Sequence, residues 1–215
     1  PVRRRRQRQM CIRDSTYYEE FLSSTECKEL SELALREEPR VMNIDNPYRD
    51  GSTYDGLTGQ YLVYNWLSHP HVQTFNIPQR LFDLPDLKDT NHIAVQCWMN
   101  ILRLNERILP HTHGDGEDSY SYASNIFLSG NLTTGTRYND TGWIHNKLGE
   151  IHLCSNRMEH SVPSMLWNEP RISMAMDIWI DEDAIEDVKT SRDFPNSENR
   201  VIEFWRENES INNRN

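Results

Sequence analysis

Long apolar runs and paired cysteines are what this 215-residue sequence most clearly lacks. No stretch approaches the roughly 18 consecutive apolar residues of a membrane-spanning helix, which excludes a membrane-spanning role. The four cysteines lie far apart without a Cys-x-x-Cys pair, which argues against a zinc knuckle and favours reduced thiols. Because no secretory segment is recognisable either, we expect a cytoplasmic protein.

Positive charge is scarce outside the first fifteen residues. Residues 1–15 contain six arginines and one aspartate, whereas residues 16–215 carry 17 basic and 32 acidic side chains, a net charge of −15. A body this acidic repels phosphate backbones, so we expect no nucleic-acid partner. The basic segment matches nothing downstream in character, and we interpret it as a disordered leader that is foreign to the fold.

The apolar content is sufficient for one compact domain, since 36% of the residues are hydrophobic and 10% are aromatic. We predict a single domain over residues 16–183, with helical support in residues 16–90 and a β core in residues 91–183. The acidic tail, residues 184–215, is predicted to form a short helix and then to be disordered.

Helix signals are concentrated near the start of this domain. Ser23 can cap a helix, and Glu26 three residues later can complete a capping box. Apolar residues then recur at helical spacing until Pro39, which is predicted to end the helix. A second, less regular helix is expected within residues 70–84, where Pro78 weakens the pattern.

Strand signals dominate after residue 91. Residues 93–102 alternate with a period of two, as expected for a long β-strand. Short strands separated by Gly- and Asn-rich turns are predicted to follow, which indicates a mainly β protein with flanking helices, built as an antiparallel barrel or jelly roll. The predicted later strands cover residues 122–128, 136–138, 149–154 and 171–180.

Three candidate metal ligands stand at alternate positions, His111, His113 and Asp115, and His160 follows 45 residues after the aspartate. On an extended segment, alternate side chains point to the same side. Two near ligands and one distant histidine can form a facial three-ligand site, and imidazole and carboxylate suit iron(II). Alone, a His-x-His pair is more often a polar surface feature.

A candidate anion-binding pair follows on the last predicted strand. The apolar residues Ile172, Met174 and Met176 occupy one face of it, which places Arg171 and Ser173 together on the other. An inward arginine can bind a carboxylate through two parallel hydrogen bonds. The alternative interpretation of Arg171 is an ordinary exposed strand arginine.

Four motifs occur in a fixed order along the β region, namely Trp98-Met99-Asn100, His111-Thr112-His113, His160-Ser161-Val162 and Arg171-Ile172-Ser173. Their order and spacing resemble those of the 2-oxoglutarate- and iron(II)-dependent dioxygenases, including the small oxygenases common in bacteria and marine phages. The opening segment, residues 18–27, also resembles the first helix of prolyl-hydroxylase-like members.

The resemblance implies a double-stranded β-helix that binds Fe(II), 2-oxoglutarate and O2 and hydroxylates a protein side chain or a small molecule, with release of succinate and CO2. The near ligands are either His111 and His113 or His113 and Asp115, and His160 is the distant ligand in both assignments. The resemblance implies no catalytic residue beyond these ligands.

The co-substrate is expected to bind through its distal carboxylate to Arg171, with Ser173 as a second donor. Tyr138 and Asn100 are further candidates for lining its pocket. The alternative function is a non-catalytic, cupin-like metal-binding jelly roll, and Arg171 separates the two hypotheses because a structural metal site needs no inward arginine.

Overall fold

The computed structural model describes residues 15–47, 56–113, 121–139, 142–190 and 200–207. Within these ranges the chain forms ten strands and four α-helices. The helices are α1 (Ser24–Met42), α2 (Pro70–Gln73), α3 (Ile77–Phe82) and α4 (Glu182–Thr190). The strands are β1 (Ser15–Tyr18), β2 (His92–Leu102), β3 (Ile108–His111), β4 (Ser121–Ser129), β5 (Gly135–Tyr138), β6 (Gly142–His145), β7 (Ile151–Ser155), β8 (His160–Val162), β9 (Arg171–Trp179) and β10 (Ile202–Trp205).

Two antiparallel sheets make up the body of the molecule. The larger sheet has the strand order β1-β7-β4-β9-β2-β10, and the smaller one has the order β3-β8-β5-β6. Strand β9 lies at the centre of the larger sheet, where it pairs with both β2 and β4. The predicted mainly β, jelly-roll class is therefore confirmed, and the strands expected from the two-residue period are all present.

Helix α1 begins as the capping box predicts, with reciprocal contacts between Ser23 and Glu26. It does not end at Pro39, however, but continues to Met42. The ring of Pro39 removes one backbone hydrogen bond. The last turn nevertheless stays helical because Val41 is completely buried against the core, and that burial outweighs the missing bond.

The start of α1 supports a pH-sensitive prediction. Glu26 accepts hydrogen bonds from the Ser23 backbone N–H and from Arg80 of α3, and the Arg80 contact holds the pKa of Glu26 down at about 2. We expect Glu26→Gln to lower the free energy of unfolding by about 1 kcal/mol at pH 7, because it removes a cap and a partly exposed ion pair. Thermal or urea unfolding of both proteins measures this difference.

The sign of the pH dependence follows from the lowered pKa. The contribution of Glu26 is fully present above about pH 4.5, the value of a free glutamate, and is lost as the pH falls towards 2. The difference in the free energy of unfolding between wild type and Glu26→Gln should therefore decrease as the pH falls below about 4.5. Glu32→Gln, on the exposed side of the same helix, is the control and should change stability little. An equal difference in the free energy of unfolding at pH 3 and pH 7 would contradict the role of the ion pair.

The single helix predicted within residues 70–84 is in fact two short ones, α2 and α3. Asn76 separates them with a positive φ of 49°, which no helix interior tolerates. Pro70 and Pro78 both lie in the first turn of their helices, where no backbone N–H is needed. Pro78 thus starts a helix rather than interrupting one.

Five strands of the described residues were not predicted, namely β1, β3, β6, β8 and β10. β1 pairs with β7, so the segment expected to be helical support begins with a strand. β10 pairs with β2, so residues 202–205 of the tail are ordered in the sheet rather than disordered as predicted, whereas the short helix after Asp181 is present as α4. Ile202 and Phe204 pack against the main core, which fixes this strand. Residues 1–14 of the leader and residues 191–199 and 208–215 of the tail lie outside the described residues.

The two faces of β9 have different surroundings. Ile172, Met174, Met176 and Ile178 point into the main hydrophobic core, as the alternation predicts. The opposite face of the strand looks towards the smaller sheet and carries the polar side chains considered below. No helix in the described part of the chain is long and apolar enough to cross a membrane.

Candidate functional site

A cavity of about 270 Å³ lies between the two sheets. It brings together side chains from β2, β3, β5, β8 and β9, as well as from the 3₁₀ turn Gly56–Gln60. Most of the side chains that the sequence motifs single out line this cavity. They are Trp98, Asn100, His111, His113, Tyr138, His160 and Arg171.

Three histidines form the polar centre of the cavity. His111 ends β3 and lies opposite His160, the first residue of β8, in the strand register. His113 follows two residues after His111, and its ring stacks on His160 with centroids 4.9 Å apart. One ring nitrogen from each of the three lies within 4.8 Å of the others. This spacing allows all three to bind one metal ion.

Close polar contacts indicate which nitrogen two of these histidines present. The Nδ1 of His113 lies 2.6 Å from Oδ1 of Asp177, and the Nδ1 of His160 lies 2.9 Å from the carbonyl oxygen of Met158. Each Nδ1 therefore carries a proton, so Nε2 is the nitrogen that each of these two rings turns towards the other. These two Nε2 atoms are only 3.2 Å apart, close enough to share one proton or to bind one cation.

The protonation of the cluster agrees with metal binding. Burial, together with His111 and His113, lowers the pKa of His160 to about 3. Burial also lowers the pKa of His111. Burial acts in the same direction on His113, but the charge and hydrogen bond of Asp177 outweigh it and raise its pKa. His111 and His160 are thus neutral at pH 7, the form in which imidazole binds Fe, Zn, Cu or Ni.

The two ligand assignments left open by the sequence differ in one residue. The structure brings together His111, His113 and His160, the first of the two sets. Asp115, which completes the second set, lies outside the described residues. The acidic group that the structure does place at the cluster is Asp177, which the sequence motifs did not single out.

Arg171 lies at the far end of the cavity and is 1% exposed. Its two terminal nitrogens donate to neutral oxygens only, those of Ser173 at 3.0 Å and of Thr136 and Asn146 at 3.3 Å. Its Nε has no hydrogen-bond partner among the described residues. Burial lowers the pKa of Arg171 to about 10, so it stays charged at pH 7. A buried cation held by neutral groups is suited to bind an anion.

The remaining candidates surround these two centres. Asn100 accepts from Thr58 at 2.8 Å and donates to Ser173 at 3.4 Å, so it supports the side chains around Arg171. Tyr138 lies 2.6 Å from Nδ1 of His152. Burial lowers the pKa of His152 to about 4, so this histidine is neutral, and its tautomer decides which of the two groups donates.

Several cavity residues were missed by the sequence motifs. The sequence could have identified Asp177 as a cavity residue, because it is six residues after Arg171 and therefore lies on the same face of β9. No sequence pattern identifies Thr136 and Asn146, because they reach Arg171 from β5 and from the segment after β6. Arg200 also lines the cavity, and it enters from the segment before β10.

The sequence matches no protein-family model and no curated protein. Solved structures do match. A viral collagen prolyl hydroxylase from Paramecium bursaria Chlorella virus-1, solved with 2-oxoglutarate, is 12% identical, with 77% of this chain and 95% of that chain covered and a TM-score of 0.55. A Pseudomonas putida prolyl-4-hydroxylase is 12% identical, with 78% and 93% covered and a TM-score of 0.50.

A third match is the non-heme α-ketoglutarate-dependent epimerase SnoN of nogalamycin biosynthesis. It is 13% identical to this chain, the alignment covers 77% of each of the two chains, and the TM-score is 0.53. At these identities the matches establish the fold. The chain therefore has the double-stranded β-helix fold of 2-oxoglutarate-dependent oxygenases, as the motif resemblance implied.

Proposed function

We propose that this protein is an Fe(II)- and 2-oxoglutarate-dependent dioxygenase that hydroxylates a protein side chain or a small molecule and releases succinate and CO2. The observation that carries the proposal is the presence, in one cavity, of a three-histidine cluster and a buried arginine whose hydrogen-bond partners among the described residues are all neutral. His111, His113 and His160 would hold the iron, and Arg171 with Ser173 would hold the co-substrate.

The spacing between these two centres suits the co-substrate. Thr136, which contacts Arg171, is two residues before Tyr138, and Tyr138 is the register partner of His160. Two residues of strand span about 6.6 Å. Along β5, the residue that contacts Arg171 is thus one such step from the residue that faces His160, a spacing compatible with a five-carbon dicarboxylate bound between the two centres.

Each group of side chains has a separate task in this proposal. The three histidines would hold the metal on one wall of the cavity. Arg171 orients 2-oxoglutarate through its distal carboxylate, with Ser173 as second donor, and Asn100 holds Ser173 in place. Iron(II) and 2-oxoglutarate, when bound, together supply the activation of O2. Trp98 stacks on His113 and supports the orientation of its ring.

The alternative of a non-catalytic, cupin-like metal-binding jelly roll does not account for Arg171. A buried arginine without an acidic partner costs folding free energy, and a site that binds only a metal gains nothing from it. The matching solved structures include prolyl hydroxylases and an enzyme of nogalamycin biosynthesis, which supports an oxygenase and either class of substrate.

An anaerobic titration of the purified protein with Fe(II) and then with keto acids tests the proposal. We expect 2-oxoglutarate to give the weak visible charge-transfer band of a metal-bound keto acid. 2-Oxobutyrate has the same keto acid end but no distal carboxylate, so it should need about 100-fold higher concentration, which corresponds to about 3 kcal/mol for a buried ionic contact.

The two keto acids also define the result that would contradict the proposal. If Fe(II) binds but 2-oxoglutarate gives no band at any concentration, the protein is not an oxygenase of this class and the metal-binding jelly roll replaces it. If both keto acids give the band at equal concentrations, Arg171 does not bind the co-substrate.

A further inference from the structure

Asp177 contacts His113 at the ring edge opposite to the one that faces His160. It lies on the cavity face of β9 and is 8% exposed, and its Oδ1 is 2.6 Å from Nδ1 of His113. The other ring nitrogen of His113, Nε2, points at His160. Asp177 and the cluster thus lie on opposite edges of one imidazole ring, the arrangement of a carboxylate that acts on a metal through its histidine ligand.

The charge of the site makes this contact important. Three neutral imidazoles neutralise none of the positive charge of a divalent metal, whereas a set with one carboxylate ligand neutralises one unit. A carboxylate that accepts the Nδ1–H of a ligand histidine makes its Nε2 a stronger donor and places a negative charge one ring away. Asp177 supplies both effects in the described cavity.

A polar network lies beside Asp177. Gln96, its register partner on β2, donates to the carbonyl oxygen of Tyr61 at 2.6 Å and accepts from Nε of Arg200 at 3.0 Å. The charges of Arg200 and Asp177 also interact. Arg200 thus places a positive charge near the carboxylate on the side of β2.

We propose that Asp177 is the positioning residue of a three-histidine metal site: it fixes the tautomer of His113 and supplies, from the outer shell, the negative charge that a carboxylate ligand would otherwise bring. This inference rests on the metal site of the proposed function. It assigns the metal-ligating role to His111 rather than to Asp115.

The experiment measures metal affinity and needs no substrate. Metal-free protein is titrated with Co²⁺, whose visible absorption reports the ligand field, and the dissociation constant is compared between variants. Asp177→Asn keeps the oxygen that accepts from His113 but removes the charge, and Asp177→Ala removes both. Asp187→Asn, on the exposed side of α4, loses the same charge away from the site and is the matched control.

We expect Asp177→Asn to weaken Co²⁺ binding by roughly 10- to 100-fold, the usual effect of losing an outer-shell partner, and Asp177→Ala to weaken it at least as much. Asp187→Asn and Asp115→Asn should stay within about twofold of wild type. The melting temperature of metal-free Asp177→Asn checks the fold, and the rise in melting temperature on adding Co²⁺ should be smaller than in wild type.

Three results would overturn the inference. If Asp177→Asn binds Co²⁺ as tightly as wild type and only Asp177→Ala binds it more weakly, Asp177 has a packing role alone. Wild-type affinity in both variants would remove it from the site altogether. Loss of binding in Asp115→Asn, with Asp177→Asn unchanged, would make Asp115 the ligand. Failure of wild type to bind Co²⁺ would instead overturn the proposed function itself.

Discussion

His160→Ala is expected to abolish Fe(II) binding, with a loss of affinity beyond the roughly 100-fold that removal of an outer-shell partner can cause. The variant removes one of three converging imidazoles and leaves His111 and His113 as a two-ligand site on one segment. The keto acid band should disappear as well, because no chelate forms without the metal.

The same substitution separates metal binding from folding. In wild type, Nε2 of His160 lies 3.2 Å from Nε2 of His113, and Nδ1 of His160 lies 2.9 Å from the carbonyl oxygen of Met158. Because His160→Ala removes both contacts, the melting temperature of the metal-free variant should fall modestly while the protein still folds. Only the wild type should gain stability from added Fe(II).

His145→Ala is the matched control, since His145 is exposed on β6 and contacts only the Trp143 indole among the contacts described. It should keep wild-type affinity for Fe(II). If His160→Ala binds Fe(II) as tightly as this control does, the cluster is not the metal site. If it loses binding only because it unfolds, the metal-free melting temperature will reveal that.

The part of the site that the sequence could predict consists of residues close together on one strand. Arg171 and Ser173 lie two positions apart on β9, so the strand period alone places them on one face. His111 and His113 are likewise two positions apart. Bringing His160 to them required the family resemblance, because the pairing of β3 with β8 is not visible in either segment alone.

The parts that the sequence could not predict depend on distant contacts. β1 and β10 are edge strands of four residues, which is too short for a two-residue period to be recognised. Their partner strands lie more than 100 residues away along the chain. The continuation of α1 past Pro39 depends on the burial of Val41 in the core. Thr136 and Asn146 become part of the arginine pocket only when the smaller sheet closes over the larger.

The second large effect is expected for Arg171→Met, which keeps the apolar stem of the side chain but removes its charge. We expect the 2-oxoglutarate concentration that half-saturates the Fe(II) protein to rise by about 100-fold, because a buried contact to a carboxylate is worth about 3 kcal/mol. Affinity for Fe(II) should stay close to that of wild type, since none of the three histidines contacts Arg171 directly.

Comparing two keto acids separates this role from a general loss of structure. In wild type, 2-oxoglutarate should bind far better than 2-oxobutyrate, and in Arg171→Met the two should bind almost equally, because the group that distinguishes them is gone. Arg137→Met, on the exposed face of β5, removes the same charge outside the cavity and should preserve the discrimination.

The Arg171 variant also changes the free energy of folding, and the direction of that change tests the same idea. A buried cation with neutral partners costs folding free energy when no anion is bound, so Arg171→Met should not lower the melting temperature of the ligand-free protein by much and can raise it. Added 2-oxoglutarate with Fe(II) should stabilise wild type strongly and Arg171→Met weakly. If the variant retains wild-type discrimination between the two keto acids, another cation binds the distal carboxylate. Arg200, which also lines the cavity, is then the residue to replace next.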